Sequence, residues 1–318
     1  MAPDRILIID SIHPVFKKNV EEKGFVCEDG TSWSKEEIIS CINDFSGVII
    51  RSCFKLDKDF LLHADNLKFI ARAGAGMENI DVSFAQSKGI TCINSPEGNR
   101  DAVGEHAIGM LLSLFNNLNK ADREVRKGVW LREENRGVEL QGKTIGIIGF
   151  GNTGSSFAKK LSGFEVNMIA YDKYIAIDSI KYPFVQQVSM EKIFEETDIL
   201  SLHIPLTDAT NYLVNNNFIN HFKKNIYVIN TSRGKILNTA DLVKNMKTGK
   251  VKGACLDVLE YESVSFENFS STDFPEPMQY LVKADNVILT PHIGGWTFES
   301  NEKMAKILAE KIVELFSG

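Results

Sequence analysis

The six residues Gly149-Phe150-Gly151-Asn152-Thr153-Gly154 constrain this chain more than any other stretch. They directly follow an apolar, strand-like run at 145–148. A helix-like stretch at 155–161 comes next, then a second strand-like run at 166–171 ending at Asp172. A glycine hexad at the joint of strand and helix calls for a βαβ unit, and hence for a parallel sheet covered by helices. Gly149 permits the tight turn, Gly151 lets the backbone approach a pyrophosphate, and Gly154 allows close helix–strand packing. The helix N-terminus offers N–H donors and the positive end of its dipole to phosphates. Asp172 stands 18 residues beyond the last glycine. It is placed to accept hydrogen bonds from ribose hydroxyls and to repel a 2′-phosphate. The reading is a dinucleotide site for NAD in preference to NADP. The bland alternative is a glycine turn with an incidental acid.

The same alternation runs through the rest of the chain. Strand-like runs occur at 5–10, 25–27, 47–51, 67–71 and 90–93, and again at 143–148, 166–171, 199–202, 226–229, 253–256 and 286–289. Such continuous apolar strands suit a sheet buried on both faces. Ser34-Lys35-Glu36-Glu37 is a capping box. Residues 100–127 read as one long helix or two abutting ones, and the strand series restarts at 143. At roughly 150 residues per domain, 318 residues suit two domains. The fold class expected is α/β, with two doubly wound parallel-sheet, Rossmann-like domains. A last helix at 298–316 must bury Met304, Ile307, Leu308, Ile312 and Leu315. Its return to the N-terminal domain would make that domain discontinuous. The boundaries expected are 1–98 with 291–318 for the substrate domain and 99–290 for the cofactor domain.

Composition removes several function classes. Lys and Arg total 36 against 42 Asp and Glu, a net charge of −6. A nucleic-acid partner is therefore not expected, since it needs a basic face to displace counterions. No apolar stretch spans a bilayer and no leader precedes the first strand, so the expectation is a cytoplasmic protein with no membrane partner. The five cysteines, at 27, 41, 53, 92 and 255, contain no C-x-x-C. No metal site or disulfide framework is expected, and Cys41 and Cys53 read as small buried hydrophobes.

Three further segments end strands of the second series: Asn230-Thr231-Ser232-Arg233-Gly234, Leu256-Asp257-Val258 running on to Glu262, and Thr290-Pro291-His292-Ile293-Gly294-Gly295. Ligands of open α/β sheets bind at the carboxyl ends of strands. Metal-free oxidation of an alcohol needs a base for the hydroxyl proton, a cation for a substrate carboxylate and an acid that tunes the base. His292, Arg233 and Glu262 fit those roles. Each also has a structural alternative, and spacing alone does not bring them together.

The ordered set of motifs is similar to the D-isomer-specific 2-hydroxyacid dehydrogenases, most of all the D-3-phosphoglycerate dehydrogenase branch. The resemblance covers nearly the whole chain. It includes Val48-Ile49-Ile50-Arg51-Ser52, Ala71-Arg72-Ala73-Gly74-Ala75-Gly76 with Asn79-Ile80-Asp81, the glycine hexad, His203-Ile204-Pro205-Leu206-Thr207, Asn230 to Gly234, Leu256-Asp257-Val258 and Pro291 to Gly295. It implies Arg233, Glu262 and His292 as the catalytic residues. It implies cofactor contacts at Asn152, Thr153, Asp172, His203, Pro205, Thr231, Ser232, Asp257 and Gly295, with Asp257 on the nicotinamide carboxamide. It further implies a cofactor domain inserted in the substrate domain, a homodimer or homotetramer formed through the cofactor domain and the helix leading into it, and a place in serine biosynthesis.

By the same resemblance Arg51 and Arg72, with Gly74, Ala75 and Gly76, bind substrate, and the two arginines contact a phosphate. Lys55 and Arg132 would add positive charge. The alternatives are an arginine paired with a structural carboxylate, a glyoxylate or hydroxypyruvate reductase, a D-lactate-type dehydrogenase, and an NAD-sensing binding protein of the same fold. The chain ends two residues after the final helix, so no C-terminal amino-acid-binding regulatory domain is expected. Three features depart from the family: Ser263 stands where proline is usual, residues 263–285 read as a packed loop, and Trp296 replaces a small residue. Trp296 would either line the rim of the site or anchor the last helix.

Overall fold

The computed structural model describes residues 4–262 and 274–316. The chain divides into two compact α/β units, Met1–Arg100 with Trp296–Gly318 and Asp101–Gly295. The observed boundaries fall a few residues beyond the expected ones. His292 and Gly295 therefore belong to the second unit, with the glycine loop.

The first unit carries strands β1 (Arg5–Ile8), β2 (Val26–Asp29), β3 (Gly47–Ile50), β4 (Phe69–Arg72) and β5 (Thr91–Asn94). They form a parallel sheet in the order β2-β1-β3-β4-β5. Helices α1 (Val15–Glu21), α2 (Lys35–Cys41), α3 (Lys58–Leu61) and α4 (Val82–Ser87) connect the strands. The Ser34 box forms as read: its side chain accepts from the Glu37 N–H while the Glu37 carboxylate accepts from the Ser34 N–H. Ile38, Ile42, Phe45 and Phe60 fill one face of the sheet. Phe16, Val20 and Phe69 fill the other, together with Ala305, Leu308, Ala309 and Ile312 of the final helix. That helix therefore returns to the first unit. Its buried stripe is rotated from the expected one, because the small Ala305 and Ala309 take the inner positions while Leu315 is exposed.

Helix α5 (Pro96–Phe115) contains the boundary between the units. It is followed by α6 (Leu118–Arg126), and Asn117 in a left-handed conformation (φ +53°) breaks the two apart. The second unit then builds β6 (Thr144–Ile148), α7 (Asn152–Leu161), β7 (Asn167–Tyr171), β8 (Val185–Gln187), α8 (Met190–Glu196) and β9 (Ile199–Leu202). It continues with α9 (Asn216–His221), β10 (Ile226–Asn230), α10 (Thr239–Lys247), β11 (Val251–Leu256), α11 (Glu276–Leu281) and β12 (Val287–Leu289). Helix α12 (Phe298–Phe316) closes the chain.

The seven strands are parallel in the order β12-β11-β10-β9-β6-β7-β8. The chain leaves β6 toward β7 on one side and later returns to β9 on the other. The carboxyl end of β6 is thus a topological switch point, where such sheets bind ligands. Helix α11 lies in the stretch expected to be a loop. Pro277 does not prevent it, because a first-turn proline removes only an N–H that no helical carbonyl would accept. Ser263, Phe266 and Phe269 lie outside the described residues.

Candidate active site

Strand β6 is fully buried, and its last residue hands directly to Gly149, whose φ of +90° makes the turn. A side chain here would also strike the His203 carbonyl at 2.3 Å. At Gly154 a Cβ would come within 2.1 Å of the Gly149 carbonyl, so this glycine lets α7 sit against the turn. Gly151 differs: a Cβ there would meet nothing within 4 Å. Its outward face is open at the start of α7, whose N-cap makes no side-chain hydrogen bond. Asp172, at the end of β7, accepts from the Phe150 N–H through Oδ2 (2.7 Å), and through Oδ1 from the N–H groups of Tyr174 and Ile175 (2.8 and 2.9 Å). It ties the glycine loop to the neighbouring strand and fixes its own carboxylate.

His203 follows β9 and is buried beneath the loop. Nε2 lies 2.8 Å from Ser201 Oγ and Nδ1 3.2 Å from Thr153 Oγ1. Burial pushes its pKa down to about 3, so the ring is neutral and serves as a strut for the loop. Pro205 accepts a hydrogen bond from Thr210 Oγ1 at its carbonyl (2.7 Å). After β10, buried Asn230 receives the Ser232 N–H at Oδ1 and donates from Nδ2 to the Arg233 carbonyl. Ser232 Oγ donates to the Leu202 carbonyl at 2.5 Å. These bonds lock the turn that carries Arg233, whose Nη1 donates to the Ser232 carbonyl at 2.6 Å.

Asp257 is the hub of the third segment. Oδ1 accepts from Thr290 Oγ1 (2.6 Å) and the Ile293 N–H (2.9 Å), and Oδ2 from the Gly294 N–H (2.8 Å). Its carbonyl accepts the His292 N–H at 2.8 Å. Burial alone would push this carboxyl up, but the hydrogen bonds from His106, Thr290 and Gly294 outweigh it and hold the pKa below the ordinary value. The turn so held places His292 Nδ1 3.2 Å from Glu262 Oε2. The two residues that spacing could not connect therefore meet. Sequence reasoning misses His106 and the part Thr290 plays beside it. His106 Nε2, on α5, lies 3.3 Å from Asp257 Oδ1 and 3.0 Å from Thr290 Oγ1. The available signal is one imidazole at the start of the apolar helical run 107–115.

In the first unit, Arg51 and Arg72 follow β3 and end β4. Arg72 is buried; Nε donates to the Arg51 carbonyl at 3.0 Å and Nη1 to the Gly76 carbonyl at 2.6 Å. Gly74 lies against that guanidinium, since a Cβ there would stand 2.6 Å from Nη1. The Ala75 carbonyl accepts from Asn94 Nδ2.

Residues 108–294 match the family model described as D-isomer specific 2-hydroxyacid dehydrogenase, NAD binding domain. The chain is 37% identical over 278 residues to a hydroxypyruvate reductase of Thermotoga maritima, covering 87% of each. The chain belongs to the D-isomer-specific 2-hydroxyacid dehydrogenase family. It is also 34% identical over 314 residues to a D-3-phosphoglycerate dehydrogenase of Archaeoglobus fulgidus, covering 99% of this chain and 58% of that protein. It thus spans just under three-fifths of that relative's length. A solved D-lactate dehydrogenase of Aquifex aeolicus, complexed with NAD and lactic acid, superposes with a TM-score of 0.81 at 26% identity, covering 98% of this chain and 95% of the other.

The second unit of this family member fits the dinucleotide that the family's domain is named for. The open face at Gly151 leaves room for a pyrophosphate at the α7 N-terminus. Thr231 Oγ1 is buried and has no hydrogen-bond partner among the described residues, as a group waiting for a ligand would be. The cysteines offer no competing chemistry. All five are free, and Cys27, Cys53 and Cys92 are pushed up to about 12, 12 and 11, chiefly by burial of the thiol. Cys53 corrects the expectation of a buried residue: it is exposed overall, with its sulfur turned inward to the Ile9 carbonyl at 3.4 Å. Cys41 is half-buried. No group of metal-ligating side chains occurs among the described residues, and no helix there is long and apolar enough to cross a membrane.

Proposed function

We propose that this chain is an NAD-dependent oxidoreductase that moves a hydride between nicotinamide and C2 of a D-2-hydroxy acid. We take 3-phosphoglycerate and 3-phosphohydroxypyruvate as its substrate pair. The observation that carries the reading is the His292–Glu262 pair, at 3.2 Å, in the unit whose β6 ends in the glycine loop. When bound, NAD supplies the carbon that accepts or gives the hydride. Asn152, Thr153 and the backbone of the loop would hold its pyrophosphate and Asp172 its adenosine ribose. Thr231, Asp257 and Gly295 would face the nicotinamide end. Arg233 offers a planar fork to the substrate carboxylate and draws charge from the neighbouring carbonyl. With His292 Nδ1 turned to Glu262, Nε2 exchanges the proton. The imidazolium protonates the carbonyl oxygen in reduction, and the neutral ring takes the hydroxyl proton in oxidation. The Glu262 carboxylate at Nδ1 orients the ring.

Arg51 and Arg72, with the 74–76 loop, are proposed for the phosphate end. A second reading, reduction of unphosphorylated hydroxypyruvate or glyoxylate, is favoured by two observations. Arg72 commits Nε and Nη1 to backbone carbonyls, and the Thermotoga relative is named a hydroxypyruvate reductase. Loss of NADH absorbance with 3-phosphohydroxypyruvate, hydroxypyruvate, glyoxylate and pyruvate in parallel separates these readings. Turnover of none of them, with NADH still bound, would leave only a nucleotide-binding protein.

We also propose a homo-oligomer, dimer or tetramer, in the cytoplasm. Exposed Leu118, Val125, Val129 and Trp130 on and after α6 support self-association. Five free cysteines suit a reducing compartment. Sedimentation of the purified protein tests the first point.

A further inference from the structure

Trp296 directly follows the Gly294-Gly295 pair and belongs to the first unit, as does its ring partner. The guanidinium carbon of Arg51 is 3.7 Å from the centre of the Trp296 ring. That distance is a close cation–π contact. A cation–π contact of this kind restrains the guanidinium and its charge at the ring.

The backbone beneath Arg51 is fixed as firmly. Asp10 Oδ2 accepts from the N–H groups of Arg51, Ser52 and Cys53, at 3.1, 2.6 and 2.8 Å. The Arg51 carbonyl accepts from Arg72 Nε at 3.0 Å and from Asn79 Nδ2 at 3.3 Å. The two arginines singled out in the sequence therefore differ in kind. Arg72 donates to the backbone that carries Arg51, whereas the Arg51 guanidinium sits over an indole ring.

We propose that Trp296 is a specificity-determining residue that positions the Arg51 fork for a doubly charged phosphate, with Arg72 holding the Arg51 backbone from behind. The inference rests on the phosphorylated-substrate reading above. It assigns phosphate recognition to Arg51 and gives Trp296 and Arg72 supporting roles. Loss of the platform leaves the charge in place but frees its rotamers, so discrimination falls without vanishing.

The test is the ratio of kcat/KM for 3-phosphohydroxypyruvate to that for hydroxypyruvate, in the wild type, Trp296→Ala, Trp296→Phe, Arg51→Ala and the Arg51→Ala/Trp296→Ala double variant. Trp296→Ala should lower the ratio about tenfold and Trp296→Phe less, since the phenyl ring keeps part of the cation–π contact. Arg51→Ala should lower it roughly ten- to a hundredfold, with no further loss in the double variant. An unchanged ratio in Trp296→Ala, or additive losses in the double variant, would overturn the role of Trp296 while leaving the phosphorylated-substrate reading intact. A wild type that does not prefer the phosphorylated compound would overturn both.

Discussion

His292 Nδ1 lies 3.2 Å from Glu262 Oε2, and the histidine reaches that place through a left-handed backbone, φ +55°. A non-glycine residue rarely adopts this conformation, which costs of order 1–3 kcal/mol unless its surroundings enforce it. Asp257 enforces it: its carbonyl takes the His292 N–H, and its carboxylate takes those of Ile293 and Gly294. The strain thus sits at His292, and a buried carboxylate sustains it.

Glu262→Gln keeps the shape of that contact and removes its charge. The ring then loses the carboxylate that fixes its orientation through Nδ1, so kcat for reduction should fall while NADH affinity is kept. Steady-state rates and NADH binding check this, and an unchanged kcat would argue that the carboxylate does not act on the ring.

Asp172 should govern cofactor choice. A 2′-phosphate beside a fixed carboxylate is repelled, so NADH should be used far better than NADPH. Asp172→Ala should narrow the gap chiefly by worsening NADH, because it also releases the Phe150 N–H of the glycine loop. Comparable kcat/KM for both cofactors in the wild type would contradict the assignment.

His203 should make the fold acid-sensitive. Burial holds the native ring neutral down to about pH 3, whereas an exposed histidine in the unfolded chain gains its proton near 6.5. Between those values the unfolded state binds the extra proton. Stability is therefore complete above pH 6.5 and falls by about 1.4 kcal/mol per unit as pH drops toward 3. His203→Asn removes this dependence. Urea unfolding at pH 7 and pH 5 should show a loss about 2 kcal/mol smaller in the variant than in the wild type. Equal losses would mean the buried ring is not what titrates.

Much of this is legible in the sequence. The glycine loop and Asp172 can be read because a strand-to-helix turn on a phosphate leaves little choice of residue or spacing. The run of strands can be read because a doubly covered parallel sheet needs continuous apolar runs. Strand β8 cannot, since three residues at a sheet edge carry no pattern. Asp257 is singled out only by the family resemblance; its binding of the 290–294 turn and its contact with His106 depend on α5 and β12 meeting around it, which no local signal encodes. Arg51 and Arg72 look alike in sequence. Only the fold shows one guanidinium on backbone carbonyls and the other on an indole face.

The central claim is that His292 moves the proton while separate residues hold the nucleotide. Its most direct test is His292→Gln, with turnover followed as NADH-dependent reduction of the oxo acid and NADH affinity followed by fluorescence. The account predicts a kcat lower by about 10²-fold or more, with NADH affinity within roughly twofold of wild type. Near-normal turnover, or nucleotide binding lost together with activity, would contradict it.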